Sequence, residues 1–125
     1  MKIINDCYNA NYDSMKAGIE YLAKTTDKRK IAILGDMLEL GEYSEELHKK
    51  VGEEIIKNKI DILITVGKMG KVIADTVIKE KREVYSCTNN DEAIAVAKKI
   101  INPEDTILVK ASNGMKFKEI VEGLK

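Results

Sequence analysis

Asp6, Asn9, Asn11 and Ser14 fall within one ten-residue stretch, "NDCYNANYDS", directly after a short apolar opening. Side chains of this kind close turns by bonding their own backbone, and the same carboxylates and carboxamides orient polar ligands. A second polar group lies far along the chain in "KASNGMK", which holds Lys110, Ser112, Asn113 and Lys116. Between the two stands Asp36, in "GDMLELGEYS". No nucleophile in these segments has a base to activate it. The one histidine, His48, lies in the charged run "SEELHKK" and reads as a solvated helix residue, so Ser-His-Asp chemistry is excluded. The set suits binding and orienting a polar ligand better than breaking a bond.

Other chemistries fail on spacing. A phosphate-cradling P-loop needs two glycines framing four residues before Lys and a hydroxyl residue. In "GKMGK" Gly67 and Gly70 are too close, and Val72 stands where the hydroxyl is required, so the segment reads as a strand-to-helix turn. The fingerprint G-x-G-x-x-G is absent. A phospho-accepting receiver would need an aspartate ending the third strand, which here ends in Gly67. Cys7 and Cys87 are too few and too far apart for a disulfide framework or metal cluster, and read as reduced structural thiols.

The elements that must position these groups show as a rhythm. Five β-rich apolar runs, "KIIN", "KIAILG", "DILITVG", "EVYSC" and "TILVKA", are each followed by a segment with apolar residues at helical spacing. The helical faces are Met15, Ile19 and Leu22; Leu47, Val51 and Ile55; Ile73 and Val77; Ile94, Ala97 and Ile101; and Phe117, Ile120, Val121 and Leu124. Ser44 is expected to cap the second helix, ahead of Glu45 and Glu46, and Asn102-Pro103 to stop the fourth. Continuously apolar strands need cover on both faces, and βαβ crossovers are right-handed. The expected fold is α/β: a doubly wound, mostly parallel, Rossmann-like sheet of about five or six strands with helices on both faces. Every polar loop named above then lies at the carboxyl ends of the strands, where such sheets bind ligands.

Length and composition set the bounds. The 125 residues fit a single domain, 1–125, and 21 basic against 21 acidic residues leave no net field that would draw nucleic acid. No apolar run reaches the roughly 20 residues of a membrane helix and no signal peptide is visible, so no membrane insertion and a cytoplasmic setting are expected.

Three separated segments, "NDCYNANYDSM", "ILGDMLELGEYSEELHKKVG" and "LVKASNGMKFKEIVEGL", together resemble the C-terminal domain of the Mur ligase family. Within that family the likeness is to the type that joins D-alanyl-D-alanine to UDP-N-acetylmuramoyl-tripeptide in peptidoglycan synthesis, and it covers nearly the whole chain. It implies a lid and amine-substrate domain of an ATP-dependent amide-bond ligase, in which ATP phosphorylates the tripeptide carboxylate and the dipeptide amine attacks the acyl phosphate. ATP and Mg2+ would be held mainly by a central domain that this domain closes on. That domain and an N-terminal UDP-binding domain lie outside these residues. No catalytic residue is expected within this domain, and alone it should fold but be inactive.

By that resemblance Asp6 faces the nucleotide ribose and Asn9 is grouped with it, while Tyr8 and Asn11 face the reaction centre and the incoming dipeptide. Asp36, Lys110, Ser112 and Lys116 match segments that would meet the dipeptide or hold the closed arrangement. Bland readings stand beside these: an Asx turn for Asp6, loop stabilisation for Tyr8, Asn9 and Asn11, capping for Ser14, loop-holding for Asp36, and a solvated helix position for Lys116. Two residues depart from the family pattern, Tyr12 where proline is usual and Asn113 where arginine is common. A different class of function, a free-standing α/β module binding a small polar ligand or a partner protein, uses the same edge.

Overall fold

β2 (Lys30–Gly35), β3 (Ile62–Val66) and β5 (Thr106–Lys110) are almost wholly buried, whereas β1 (Lys2–Asp6) and β4 (Glu83–Cys87) are partly exposed. The burial follows from position. In this computed structural model the strands form one parallel sheet in the order β1-β5-β2-β3-β4, so the two exposed strands are its edges. The structure describes residues 1–7, 10–38 and 40–125; Tyr8, Asn9 and Glu39 lie outside the described residues.

Because side chains alternate along a strand, neighbouring residues feed opposite cores. Ala32, Leu34, Leu63 and Leu108 pack with Met15, Ile19 and Leu22 of α1 (Tyr12–Thr25), Val51 and Ile55 of α2 (Ser44–Lys57), and Ile73 and Val77 of α3 (Gly70–Ile78). Ile31, Ile33, Ile64 and Val109 meet Ala93 and Ala97 of α4 (Asn90–Ile100), Phe117, and Ile120, Val121 and Leu124 of α5 (Lys118–Leu124). The expected doubly wound α/β fold is present, with five strands among the described residues. β5 is inserted between β1 and β2, which sets the loops after all three side by side at the carboxyl edge.

Helix ends refine the sequence reading. Asn11 caps α1 in a reciprocal box: its Oδ1 accepts from the Ser14 amide at 2.8 Å, and Ser14 Oγ accepts from the Asn11 amide at 3.0 Å. Tyr12 is the first residue of that helix, a position where proline is well tolerated, and its hydroxyl donates to Glu54 on α2 at 3.4 Å. Helix α4 stops at Ile100, just before Asn102-Pro103. The expected Ser44 cap is corrected. A 3-10 turn, Gly41–Tyr43, runs straight into α2, so Ser44 already has helical dihedrals (φ −56°, ψ −51°) where an N-cap needs extended ones, and no side-chain cap forms.

At the amino edge Arg29 grips Asp105, with Nε to Oδ1 at 3.0 Å and Nη2 to Oδ2 at 2.6 Å, and also bonds Ile100 O. Asp105 is almost fully buried and accepts from the Asn102 amide at 2.7 Å. This clamp and Lys28, Pro103 and Glu104 border a depression of about 400 Å3, at the opposite end of the strands from the polar loops.

Candidate functional site at the carboxyl edge

Asp6 ends β1 and Lys110 ends β5, and the two are direct partners in the parallel register. Lys110 Nζ donates to Asp6 Oδ2 at 2.8 Å. The lysine side chain is 1% exposed and the aspartate 44%. The lysine stem passes α1 at Gly18, where a Cβ would stand 3.4 Å from Lys110 Cδ. A shallow depression of about 200 Å3 opens beside the pair, lined by Asn5, Asp6, Cys7 and Lys118.

The loop after β2 is held from three sides. Ser112 donates its amide to Asp36 O at 3.2 Å and accepts at Oγ from the Leu38 amide at 2.9 Å, tying the loops after β2 and β5 together. Asp36 Oδ1 accepts from the Gly70 amide at 2.7 Å, which places a carboxylate on the first residue of α3. That contact requires Gly67, whose φ is +101° and where a Cβ would meet Asp36 Oδ1 at 2.7 Å. Asp36 therefore does hold loops, one of the two readings open from sequence.

His48 supplies the third tie and corrects the expectation of a solvated residue. It is fully buried, its Nε2 accepts from the Met37 amide at 2.9 Å, and its Nδ1 lies 2.6 Å from Ser44 O. Accepting at Nε2 leaves Nδ1 to carry the proton that Ser44 O accepts, so the neutral ring fits the site. Burial pushes its pKa below the ordinary value, against the pull of the Ser44 carbonyl and of Asp36. The sequence did hold a signal: His48, Val51 and Ile55 are spaced by three and four, which puts the histidine on the apolar face of α2.

Of the remaining sequence-derived candidates, Asn11 is exposed at the start of α1, its oxygen engaged in capping. Lys116 is exposed but is not a helix residue. It stands in the left-handed region (φ +56°) after a 3-10 turn, Asn113–Met115, with its carbonyl accepting from Asn90 Nδ2 at 3.3 Å. Tyr8 and Asn9 lie outside the described residues. Across the sheet, Gly67, Lys68, Lys71, Ser86, Cys87 and Thr88 line a second open depression of about 340 Å3. Cys7 and Cys87 are buried free thiols, both pushed up in pKa chiefly by that burial, and for Cys7 also by the Asp6 charge.

Among the described residues no group of three or more His, Cys, Asp or Glu side chains is arranged to hold a metal ion. Nor is any helix among them long and apolar enough to cross a membrane. What the edge offers is a half-exposed carboxylate backed by a buried cation, beside loops whose polar side chains largely accept from backbone amides.

Residues 1–113 match the family described as "Mur ligase, glutamate ligase domain". The chain is 42% identical over 99% of its length to UDP-N-acetylmuramoyl-tripeptide--D-alanyl-D-alanine ligase of Bacillus subtilis, and 33% identical over 98% to the Escherichia coli protein of the same name. It spans 28% and 26% of those relatives. In fold it is similar to a MurF structure from Acinetobacter baumannii, with a TM-score of 0.88 at 24% identity over 98% of this chain and 27% of that one. A MurF ligase from Thermotoga maritima in complex with ADP gives a TM-score of 0.80 at 24% identity, covering 98% of this chain and 27% of that one.

Proposed function

Since the chain belongs to the Mur ligase C-terminal domain family, we propose that it is the lid and amine-substrate domain of a ligase that adds D-alanyl-D-alanine to UDP-N-acetylmuramoyl-tripeptide. The observation that carries this reading is the 42% identity, spread over 99% of the chain, to a relative bearing that activity in its name. The remainder of such an enzyme, including the central domain, lies outside these residues, since the chain corresponds to 28% of the relative. ATP would supply activation of the tripeptide carboxylate as an acyl phosphate, which the dipeptide amine displaces. The setting is cytoplasmic.

The carboxyl edge fits a share of that work. Asp6, half exposed and anchored at one oxygen, has the chemistry to accept from ribose hydroxyls. Asn11 caps α1 through Oδ1, which leaves its amide nitrogen to donate toward the dipeptide or the reaction centre. Lys116 is the exposed cation of the loop after β5, suited to the dipeptide carboxylate. Asp36 and Ser112 serve the same region by fixing its loops. Tyr8 and Asn9 complete the proposed set. Magnesium, like ATP, would be held mainly by the central domain, as the family resemblance implies.

The test is a ligation assay with tripeptide precursor, dipeptide and ATP. It would be run on the 125-residue chain and on the full-length polypeptide that contains it. Turnover is expected only in the latter. Asn11→Ser preserves the cap, because serine caps as well as asparagine, yet removes the amide. It should lower activity without lowering stability. Turnover by the isolated chain would overturn the reading, and tight binding of a small polar ligand by that chain would favour a free-standing module instead.

A further inference from the structure

A lysine ammonium is costly to bury, and a fold keeps one inside where a counter-charge and hydrogen bonds repay its lost hydration. Lys110 is such a group: 1% exposed, its stem against α1 at Gly18 and its Nζ 2.8 Å from Asp6 Oδ2. A side chain so enclosed does not present its charge to a ligand carboxylate. The member of the pair that reaches solvent is Asp6, 44% exposed at the end of an edge strand. An aspartate in that setting samples several rotamers unless something holds it. Here the direct register of Asp6 with Lys110 brings the ammonium to one of its oxygens, leaving the other to accept from a ligand.

We propose that Lys110 is a positioning residue, which fixes the Asp6 carboxylate in the orientation that accepts from the vicinal hydroxyls of a nucleotide ribose, and that it does not touch the dipeptide. This rests on the nucleotide reading of Asp6 and replaces the dipeptide contact expected for Lys110 from sequence. A held acceptor binds more tightly than a mobile one because its ordering cost is met on folding.

Steady-state kinetics of the full-length polypeptide separate the possibilities. Lys110→Met keeps the apolar stem and removes the charge. It is expected to raise the KM for ATP about tenfold, the scale of losing a hydrogen bond to a charged group, and to leave the dipeptide KM within about twofold. In an Asp6→Asn background the same substitution should change the ATP KM by less than about twofold, because its effect passes through Asp6. If the methionine variant does not fold, Lys110→Arg, which keeps the charge but moves the donor, is expected to alter the ATP KM alone.

A rise in the dipeptide KM, no change in either KM, or a full effect persisting without the Asp6 carboxylate would overturn the proposal. If Asp6→Asn by itself leaves the ATP KM unchanged, the nucleotide reading of Asp6 falls first. If Asp6→Asn raises that KM and Lys110→Met does not, only the positioning role falls.

Discussion

Lys110 and Asp6, 104 residues apart in sequence, meet across the β1–β5 register with Nζ and Oδ2 at 2.8 Å. Their unequal burial makes the pair asymmetric. Removing the lysine charge leaves a half-exposed carboxylate that water can hydrate, whereas removing the aspartate charge strips a counter-ion from an enclosed ammonium. Lys110→Met should therefore cost less than about 1 kcal/mol, and Asp6→Asn about 2 kcal/mol, the usual penalty for breaking a buried pair reduced for the solvated partner. Urea denaturation of the two variants checks the ranking. The reverse order would mean that other groups carry the ammonium.

His48 predicts a pH dependence of stability. Its pKa is lowered in the fold, so the unfolded chain takes up a proton first as pH falls. The stability tied to the neutral ring is complete above the unfolded value of about 6.5, declines below it by at most about 1.4 kcal/mol per pH unit, and levels off below the folded value. In His48→Gln that slope should flatten. The Met37 amide loses its acceptor unless the new side chain reaches it, so a loss of about 1–3 kcal/mol at pH 7.5 is also expected. Chemical denaturation at a series of pH values measures both.

Two glycines should respond oppositely to alanine. At Gly18 in α1 an added Cβ meets Lys110 Cδ and Leu108 Cδ2 at 3.4 and 3.5 Å, ordinary contact, so Gly18→Ala should stabilise by about 0.5–1 kcal/mol through helix propensity. At Gly35 the Cβ would stand 2.6 Å from Phe117 Cζ and 2.9 Å from Ala111 Cβ. Gly35→Ala should destabilise by about 1–3 kcal/mol, because a ring packed beneath the sheet has nowhere to retreat. Thermal unfolding of the two variants would show shifts of opposite sign.

The thiols offer a chemical probe. Cys7 and Cys87 are both buried, and burial pushes each pKa upward, so little of either is thiolate near neutrality. Alkylation by iodoacetamide at pH 7.5 should be slow for both and become fast only once denaturant unfolds the chain. Mass spectrometry of the folded protein would reveal any prompt labelling, and such labelling at Cys7 would show that the β1 edge opens readily.

The sequence carried the architecture in detail. Apolar runs and helical stripes placed five strands and five helices, because the repeat of the side-chain pattern is a local property that each segment bears alone. The capping role of Ser14 was equally legible, since the box spans four residues. Misreadings arose where a residue's environment came from elsewhere in the chain. His48 looked solvated among its charged neighbours, but its ring is claimed by the Met37 amide; Ser44 looked like a cap, but the preceding 3-10 turn had already drawn its backbone into helical geometry.

The sequence by itself therefore determined the α/β alternation, the carboxyl-edge location of the polar loops and, through three motif segments, the family. Only the tertiary structure decided what those polar side chains are bonded to. Strand order set Lys110 beside Asp6, and loop packing gave Asp36 to Gly70 and Ser112 to Leu38. Periodicity reports which face of an element is buried. Which partner occupies that buried space depends on the insertion of β5 between β1 and β2, a relationship among segments far apart in the chain that no local pattern encodes.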